Sequence, residues 1–399
     1  MNKGMHFKSK LALAVILACT SSQALAVDPQ AIPTESGFDI TPLLTTGLKY
    51  DDNVTSVSSG EIDSWVLSIV PSISARLDDG VTVYEFTGGV YRGQYFDSSD
   101  DNFTDTTLGA LFDTRLSERS KINLKGDFIW GHEDRGTGIT EGLNNNQDEP
   151  TRYNTQTVSG YYEFGGSESP ARIRFGAKYF NKSYTSLREI TRFRDYDSWL
   201  GGVNFYFATQ SAIIAVVETN MEKISYSEND PTADRDSTVT NARLGAEWEI
   251  TALTTGEAKI GYQRKDFDDD NRESFNGLAW TVDMDWSPLT YSSFNVGTGR
   301  RAKDPLQNGD YVKETTYKVG WTHKWTELIQ TELSYDRVEE DYVGVTRKDT
   351  NDSYEISINY AFRRFIDISL FATITDKTSS VPGIEFDRSI YGINFDFSL

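Results

Sequence analysis

The clearest pattern in the chain is a strict alternation of apolar and polar residues at its carboxyl end. Gly392, Asn394, Asp396 and Ser398 occupy every second position there. The positions between them carry only large apolar side chains, namely Tyr391, Ile393, Phe395, Phe397 and Leu399. Because successive side chains of a strand point to opposite faces, this segment has one apolar and one polar face. The pattern predicts a β-strand with lipid on one side and water on the other, ending in a C-terminal assembly signal.

The same two-residue period recurs from Phe38 onward. One clear example alternates polar or small residues with Leu278, Trp280, Val282, Met284 and Trp286. A helix is excluded, because apolar residues at every second position would circle a helix instead of lining one side. We count about 18 such segments, and roughly 20 residues per strand and connection allows 16–20. An open sheet of this kind would leave unpaired backbone groups in lipid, so we predict an all-β fold, a transmembrane antiparallel up-and-down β-barrel over residues 38–399.

The predicted connections alternate between a short and a long class. The short turns are Asp78–Gly80, Ser117–Ser120, Ala208–Gln210, Thr251–Leu253, Pro288–Leu289 and Arg363–Arg364. The longer and mostly acidic connections are Asp51–Gly60, Gly136–Pro150, Glu228–Asp236, Arg301–Asp310, Glu339–Asp349 and Thr378–Asp387. Short periplasmic turns and long outer loops are typical of bacterial barrels. With both barrel ends in the periplasm, the long class becomes the outer loops.

The first residues predict export from the cytoplasm. Three lysines precede an apolar run over Leu11–Ala18, and Ala24-Leu25-Ala26 is a small-residue cleavage site, so we expect a signal peptide over residues 1–26. A rival interpretation is a lipoprotein attached through Cys19, the only cysteine. Cleavage after Ala26 would leave no cysteine for a disulfide or a thiolate site. Residues 27–37 are expected to form a short periplasmic N-terminal segment.

Composition narrows the possible partners. The chain carries 60 acidic and 39 basic side chains, a formal charge of −21, which argues against nucleic-acid binding. The mean hydropathy of −0.49 does not contradict a barrel, whose strands need only every second residue to be apolar. We expect a multi-pass β-barrel in the outer membrane of a Gram-negative bacterium. Its partners would be outer-membrane lipids, lipopolysaccharide and the barrel assembly machinery.

Candidate catalytic and metal-binding residues are scarce. His132 and His323 are the histidines beyond the signal peptide, and no serine and carboxylate can be matched to either as a triad. The acidic groups Asp97/Asp100/Asp101, Asp268–Asp270 and Glu339–Asp341 are interpreted as solvated loop tips that associate at most loosely with Ca²⁺. We therefore predict no enzyme activity, no catalytic or metal-binding residue and no cofactor.

Charged residues on the polar faces of the strands are the candidates for a functional lumen. On the parity of each strand, these residues point inward: Lys125, Arg172, Arg174, Lys178, Glu218, Glu222, Glu247, Glu249, Asp283 and Asp285. Either the basic and acidic arcs set up a field across the lumen that selects what passes, or the charges pair across neighbouring strands and neutralise each other. Both alternatives remain open from the sequence.

A short motif follows the first predicted strand. Tyr50, Asp51, Asn53 and Val54 form a Tyr-Asp-x-Asn-Val sequence, which resembles the opening of the putative β-barrel porin 2 family. The resemblance extends over the whole mature chain in length and strand rhythm. It differs at the last residue, because such barrels usually end in Phe or Trp and this chain ends in Leu399.

The resemblance implies a role in exopolysaccharide or capsule export of the Wzx/Wzy-dependent type. The barrel would be a conduit or accessory channel for the polysaccharide and would work with a periplasmic polysaccharide export protein. The alternative is a general or substrate-selective diffusion porin. A barrel-type hydrolase is a distant third possibility. The sequence names neither the polymer nor the state of the pore.

Overall fold

A computed structural model describes residues 31–143, 147–166, 169–209, 212–251 and 253–398 of the 399-residue chain. The predicted signal peptide, the residues up to 30 and the terminal Leu399 lie outside the described residues. Within the described part, strands account for most of the chain, and short helical turns occur only in connections.

The described residues contain one two-residue strand and eighteen long strands. The bounds are β1 Ile32–Pro33, β2 Asp39–Asp51, β3 Ser64–Asp78, β4 Thr82–Tyr95, β5 Phe103–Ser117, β6 Ser120–Glu133, β7 Thr151–Phe164, β8 Ala171–Tyr184, β9 Tyr196–Ala208, β10 Ile213–Tyr226, β11 Ser237–Thr251, β12 Thr254–Phe267, β13 Phe275–Leu289, β14 Ser292–Lys303, β15 Tyr311–Lys324, β16 Ile329–Val343, β17 Lys348–Arg363, β18 Ile366–Ser379 and β19 Phe386–Ser398. Helical turns span Ser99–Asp101, Gly138–Thr140, Arg188–Thr191 and Arg192–Arg194.

The eighteen long strands close into one barrel. Each strand from β2 to β19 pairs antiparallel with its neighbours in the chain, and β19 returns to pair with β2, from Ile390 opposite Asp51 to Ser398 opposite Leu43. Closure gives every one of these strands a hydrogen-bonded neighbour on both sides. The predicted up-and-down barrel of about 18 strands is therefore confirmed.

The two faces of the barrel wall differ as the alternation predicts. Large apolar side chains occupy one face, and we call this face outward; Leu244 and Trp199, for example, are each 62% exposed there. The opposite, inward face carries mainly small, polar and charged side chains, with some aromatic rings such as Tyr161 and Tyr206. The register preserves this parity across strands, as in Arg243 opposite Glu218 on the inward side and Leu244 opposite Val217 on the outward side. The arrangement suits an apolar solvent around the barrel and a polar interior.

The connections divide the barrel into two unlike ends. At one, the turn end, no connection exceeds the six residues between Phe164 and Ala171. At the other, the loop end, the connections reach seventeen residues between Glu133 and Thr151. Two predicted connections were misplaced. Strand β13 continues through Pro288–Leu289 to a turn at Thr290–Tyr291, and Glu339–Asp349 is mostly strand, with only residues 344–347 connecting β16 to β17.

None of the helical segments among the described residues is long and apolar enough to cross a membrane.

Candidate functional site: the lumen wall and the crossing loop

The register places all ten candidate lumen charges on the inward face. Residues directly opposite one another on neighbouring strands point to the same face of the wall. Arg172 lies opposite Tyr206, and Asp283 lies opposite Glu257 and Gly297, all of which point inward. The residues concerned are Lys125, Arg172, Arg174, Lys178, Glu218, Glu222, Glu247, Glu249, Asp283 and Asp285. They lie on β6, β8, β10, β11 and β13, so they extend around a continuous arc of the wall.

The basic side of this arc is largely neutralised by near neighbours. Glu163 on β7 accepts from both Arg172 (Nη1 to Oε1, 3.4 Å) and Arg174 (Nη2 to Oε2, 2.7 Å). The guanidinium of Arg174 also lies 4.3 Å from the ring centre of Tyr161, and that of Arg172 lies 4.9 Å from Tyr206. These contacts hold both arginines flat against the wall, where cation–π attraction adds to the ion pairs.

The other lumen charges are divided between paired and unpaired groups. Lys125 Nζ lies 3.0 Å from Asp127 Oδ2, and Glu218 pairs with Arg243 and, at 3.7 Å, with Lys259. Asp285 and Glu222 accept hydrogen bonds from neutral side chains, Asn295 and Ser198 respectively. Among the described residues, six of the ten candidates have no ion pair within 4 Å: Lys178, Glu222, Glu247, Glu249, Asp283 and Asp285. The field across the lumen is therefore smaller than a count of charges implies.

The longest connection, residues 134–150, is called the crossing loop here, because its described residues 134–143 reach across the loop end. It leaves β6, yet Glu141 within it pairs with two residues on the far side of the barrel. Glu141 Oε2 lies 2.5 Å from Arg347 Nη2, before β17, and Oε1 contacts Lys377 Nζ on β18. Arg347 and Lys377 also contact Asp349, which is 3% exposed. The crossing loop is thereby fastened to the opposite wall by a cluster of two acids and two bases.

Gln307 links the crossing loop to the loop that precedes β15. Its side-chain amide donates to the backbone carbonyls of Ile139 (3.1 Å) and Glu141 (2.5 Å). Its own backbone carbonyl accepts from Arg194 Nη2 (2.8 Å) and Arg235 Nη2 (2.7 Å). The adjoining loop residues are well covered, with Ile139 6% and Thr140 0% exposed. Gln307 thus joins parts of the barrel that are far apart in strand order.

A second group of arginines clamps the loops around residues 304–310. Asp230 Oδ2 accepts from Arg194 Nη1 (2.7 Å) and Arg235 Nε (2.8 Å). Arg272 donates to the carbonyls of Asp234 and Gly309, at 2.7 and 3.0 Å. Burial tends to raise the pKa of Asp230, but hydrogen bonds from Thr232 and Arg235 outweigh it and hold this pKa well below its ordinary value. The clamp therefore keeps its charge over the whole neutral range.

The Tyr-Asp-x-Asn-Val motif lies at the seam where the barrel closes. Asp51, which is 0% exposed, accepts from Arg388 of β19 at 2.9 Å (Nε) and 2.5 Å (Nη2). Asn53 donates to the carbonyls of Val57 and Asp387, both at 2.8 Å, and accepts from the Val57 amide. Val54 packs in an apolar cluster with Val66, Tyr95 and Phe103, while Tyr50 donates outward to Asp63. The motif thus fastens the first loop to the last strand.

The seam is also joined to the crossing loop. Arg388 Nη1 donates to Asp134 Oδ2 at 3.2 Å, so one guanidinium contacts the motif carboxylate and the first residue of the crossing loop. Burial tends to raise the pKa of Asp134, but the hydrogen bond from His132 and the charge of Arg388 outweigh it and lower the pKa. Gly136 follows at φ 73°, with Thr55 O only 1.9 Å from the position that a Cβ would take. Only glycine fits this close approach between loops.

The two described histidines contact carboxylates and aromatic rings. His132 Nδ1 lies 2.9 Å from Asp105 Oδ1 and its Nε2 lies 3.2 Å from Asp134 Oδ1, so both ring nitrogens face carboxylates and neither faces a serine. His323 points outward at the turn end, between Trp321 and Trp325, at ring distances of 5.2 and 4.4 Å. This outward position agrees with its parity in the sequence.

The acidic groups are less uniform than predicted. Asp101 is buried against Arg135, with Nε–Oδ1 at 2.7 Å, and is not a solvated loop tip. Glu339–Asp341 lies within strand β16 instead of in a loop. Asp268 and Asp270 are exposed, as predicted. Within the part of the chain that the structure describes, no group of three or more His, Cys, Asp or Glu residues is placed to hold a metal ion.

Sequence reasoning missed the crossing loop and its arginine anchors. A signal was available in residues 134–150, where the apolar Ile139 and Leu143 lie in a largely polar loop beside Gly136, Gly138 and Gly142. All three glycines have positive φ, and Ile139 is buried. A buried apolar residue in a glycine-rich loop indicates a loop that folds back onto the protein and not one that extends into solvent.

A comparison of the sequence with models of known protein families identifies the family of this barrel. The model of the family described as "Putative beta-barrel porin 2" matches residues 34–398, which includes the complete barrel. The chain belongs to this family. It is therefore a porin-like outer-membrane β-barrel, and the expected family resemblance is confirmed. The family match covers the Tyr-Asp-x-Asn-Val motif and the β2–β19 seam together.

Solved structures of other barrels match most of the chain, but with low sequence identity and modest TM-scores. The siderophore receptor PirA from Pseudomonas aeruginosa is 10% identical, with 92% of this chain and 81% of that chain covered and a TM-score of 0.46. OpdK from Pseudomonas aeruginosa, solved with vanillate, is 10% identical over 90% and 99% of the two chains, with a TM-score of 0.48. A BenF-like porin from Pseudomonas fluorescens Pf-5 is 11% identical over 90% and 99%, with a TM-score of 0.47. The chain has no significant match among the curated proteins.

Proposed function

We propose that this porin-like barrel is a conduit for polysaccharide leaving a Gram-negative cell, and that the crossing loop controls its loop end. In this proposal the loop end faces outward and the turn end faces the periplasm. A periplasmic polysaccharide export protein would deliver the polymer at the turn end. The barrel supplies a path and no chemistry, so it needs no catalytic residue and no cofactor. Ca²⁺ would at most associate loosely with exposed loop carboxylates such as Asp268.

The crossing loop is the observation that carries this proposal. A barrel of about 18 strands encloses a lumen wide enough for an aqueous channel. If such a lumen stayed open at both ends, small solutes would leak through it whenever no polymer occupied it. A loop anchored on the opposite wall by Arg347 and Lys377 is a barrier that can be released. The proposal therefore combines a wide polar lumen with a closed resting state.

The lumen wall also suits a hydrated, extended cargo. Conduction requires sites that bind favourably enough to admit the cargo and weakly enough to release it. Arg172, Arg174 and Glu218 are engaged by neighbouring strands, which reduces their capacity to hold a passing charged group. Hydroxyl-rich chains can exchange hydrogen bonds along such a wall without strong trapping. The identity of the polymer stays a matter for experiment.

A substrate-selective diffusion porin is the second candidate. It is favoured by the cluster of Arg172, Arg174, Tyr161 and Tyr206 on neighbouring strands, which presents two guanidinium groups and two rings at one place in the lumen. Such a cluster is suited to a small anionic solute with a planar part. Under this alternative the crossing loop would narrow the lumen without closing it.

Deletion of the chromosomal gene, with complementation from a plasmid, separates the two candidates. For a conduit we expect secreted polysaccharide to fall when the gene is deleted and to return with the wild-type gene. For a diffusion porin, secreted polysaccharide would be unchanged and uptake of small solutes would fall. Purified protein in planar bilayers gives a second readout, because a diffusion porin conducts small ions steadily in its resting state.

A further inference from the structure

Strands β5 and β6 separate from each other at the loop end of the barrel. Their hydrogen-bonded register ends where Thr106 lies opposite Trp130, so Phe103–Asp105 and Gly131–Glu133 are not paired with one another. Each of these segments keeps its other neighbour. Phe103 still lies opposite Gly93 of β4, and Glu133 still lies opposite Thr151 of β7. The barrel wall therefore opens into a cleft between two of its strands, which we call the β5–β6 cleft.

His132 closes the floor of the β5–β6 cleft. Its ring stacks on Phe103 with 3.9 Å between ring centres, and its nitrogens face Asp105 and Asp134. Phe103 and Asp105 are both buried, at 8% and 6% exposure. The floor is consequently held by contacts within the protein, and the cleft is formed before any ligand arrives. Preformed sites bind more tightly because little ordering is needed on binding.

A cavity of about 320 Å³ occupies the cleft. This volume lies at the lower end of the range for small-molecule sites and accommodates one sugar ring with a phosphate. The polar side chains that line it from the outward face are Arg92, Thr104, Arg152 and Asn154. Arg92 lies opposite Ile69, and Asn154 lies opposite Trp130, both apolar outward residues. The cavity therefore opens on the outer surface of the barrel, where the apolar belt meets the loop end.

The two arginines make the outward side of this cavity basic, while the carboxylate that lines its floor, Asp105, faces His132. Arg92 Nη1 donates to Phe103 O (3.2 Å) and Thr104 Oγ1 (3.0 Å), which holds the guanidinium in the cleft. Among the described residues no carboxylate pairs with Arg92. Arg152 pairs with Glu149 at 2.9 Å, but both side chains are largely exposed, and such pairs contribute little. Two available arginines thus lie together in a protein whose formal charge is −21.

The position of the cavity, at the level of the lipid headgroups, indicates what kind of ligand it binds. Arginine binds phosphate through paired charge-assisted hydrogen bonds, and a tryptophan such as Trp130 typically marks the level of lipid headgroups. Basic pockets on the membrane-facing side of a protein recognise anionic headgroups. We propose that the β5–β6 cleft binds the phosphorylated sugar headgroup of an outer-leaflet glycolipid of the lipopolysaccharide type. Arg92 and Arg152 contact the phosphate, and Thr104 and Asn154 contact sugar hydroxyls. This site requires the loop end to face the outer leaflet, and it is independent of what passes through the lumen.

Native mass spectrometry of the detergent-solubilised barrel tests the site. The probes are bis-phosphorylated lipid A, lipid A with both phosphates removed, and inorganic phosphate as a competitor. The test variant is Arg92→Gln with Arg152→Gln. The control variant is Lys223→Gln with Arg264→Gln, which removes two outward, acid-paired charges near the loop end but away from the cleft. Heat-dependent mobility on SDS gels verifies that each variant is a folded barrel.

We expect the wild-type and control proteins to bind bis-phosphorylated lipid A about tenfold or more tightly than the dephosphorylated lipid. We expect the Arg92/Arg152 variant to lose this difference while staying folded. Equal binding of phosphorylated lipid by that variant and by the wild type would overturn the proposal. Displacement of the lipid by millimolar inorganic phosphate would also overturn it, because the site would then recognise a free anion instead of a lipid.

Discussion

Glu141 and Arg347 form an ion pair across the loop end, with 2.5 Å between Glu141 Oε2 and Arg347 Nη2. Glu141 follows β6 in the chain and Arg347 precedes β17, so eleven strand positions separate them along the sequence. Because β19 pairs with β2, they are seven or eight positions apart around the ring, which places them on nearly opposite walls. Contacts of this kind, together with Gln307 and the Asp51–Arg388 seam, make the crossing loop part of the folded barrel.

The Glu141 anchor is expected to keep the loop end closed. Substituting Glu141→Gln leaves Arg347 and Lys377 facing Asp349 with one acid fewer, and breaking a buried pair costs about 3 kcal/mol. Even a third of that cost, about 1 kcal/mol, would raise the open population about fivefold. We therefore expect a higher open probability in planar-bilayer recordings. Glu149→Gln in the same loop is the matched control, because its exposed pair with Arg152 should leave the open probability unchanged.

The motif residue Asn53 is expected to stabilise the barrel seam. Asn53→Ala removes two donated hydrogen bonds and one accepted from buried backbone groups, which costs about 2–4 kcal/mol. The midpoint of denaturant unfolding, followed by tryptophan fluorescence in detergent, should fall accordingly. Asn271→Ala, at an exposed loop position with only local contacts to Asp269, should leave the midpoint in place. An unchanged midpoint for Asn53→Ala would show that the motif has another purpose.

Acid is expected to release the crossing loop only well below pH 4. The pKa values of Asp134 and Asp230 are lowered in the folded protein from an ordinary value of 3.8. For carboxyls with lowered pKa values, the stabilising contribution is complete above the ordinary pKa and is lost as the pH falls through the folded one. Conductance should therefore be constant from pH 7 to pH 5 and rise only under strongly acidic conditions. Opening between pH 7 and pH 5 would mean that other groups control the loop.

The barrel should tolerate an arginine on its outward face better near the membrane surface than at the middle of the membrane. Leu244 lies at the middle of β11, and Thr238 lies on the same face at its loop end. An arginine at the bilayer midplane costs about 2–4 kcal/mol and near the interface about 0–1 kcal/mol. Leu244→Arg should therefore reduce the amount of folded barrel recovered from membranes, whereas Thr238→Arg should not. Equal recovery of both variants would place the membrane at a different level on the wall.

Much of the fold could be predicted because the alternation of apolar and polar residues is visible within each strand, without knowledge of its neighbours. The alternation of Leu278, Trp280 and Val282 with small polar neighbours is sufficient to predict both the strand and its outward face, since lipid and water lie on opposite sides. Strand ends were harder to predict. Glu339–Asp341 looks like an acidic loop, yet β16 continues to Val343 because its backbone finds partners on β15 and β17.

The site could be predicted only in part, because its contacts depend on register and on loop folding. Parity places Arg174 and Glu218 on the inward face, but the pairing of Arg174 with Glu163 follows from the stagger between β7 and β8. The contact between Glu141 and Arg347 joins residues 206 positions apart, and no local pattern encodes it. For this reason the sequence predicts residues 136–150 only as a long outer loop, whereas the structure fixes the crossing loop at both walls.

Removal of the crossing loop tests the central claim most directly. Residues 137–143, which include Ile139 and Glu141, are replaced by a short Gly-Ser linker, and single-channel conductance is measured in planar bilayers at neutral pH. If this loop closes the resting barrel, the wild-type protein conducts small ions weakly and the shortened variant shows large, steady openings. A wild-type protein that already conducts steadily, with the same conductance after the replacement, would contradict the account.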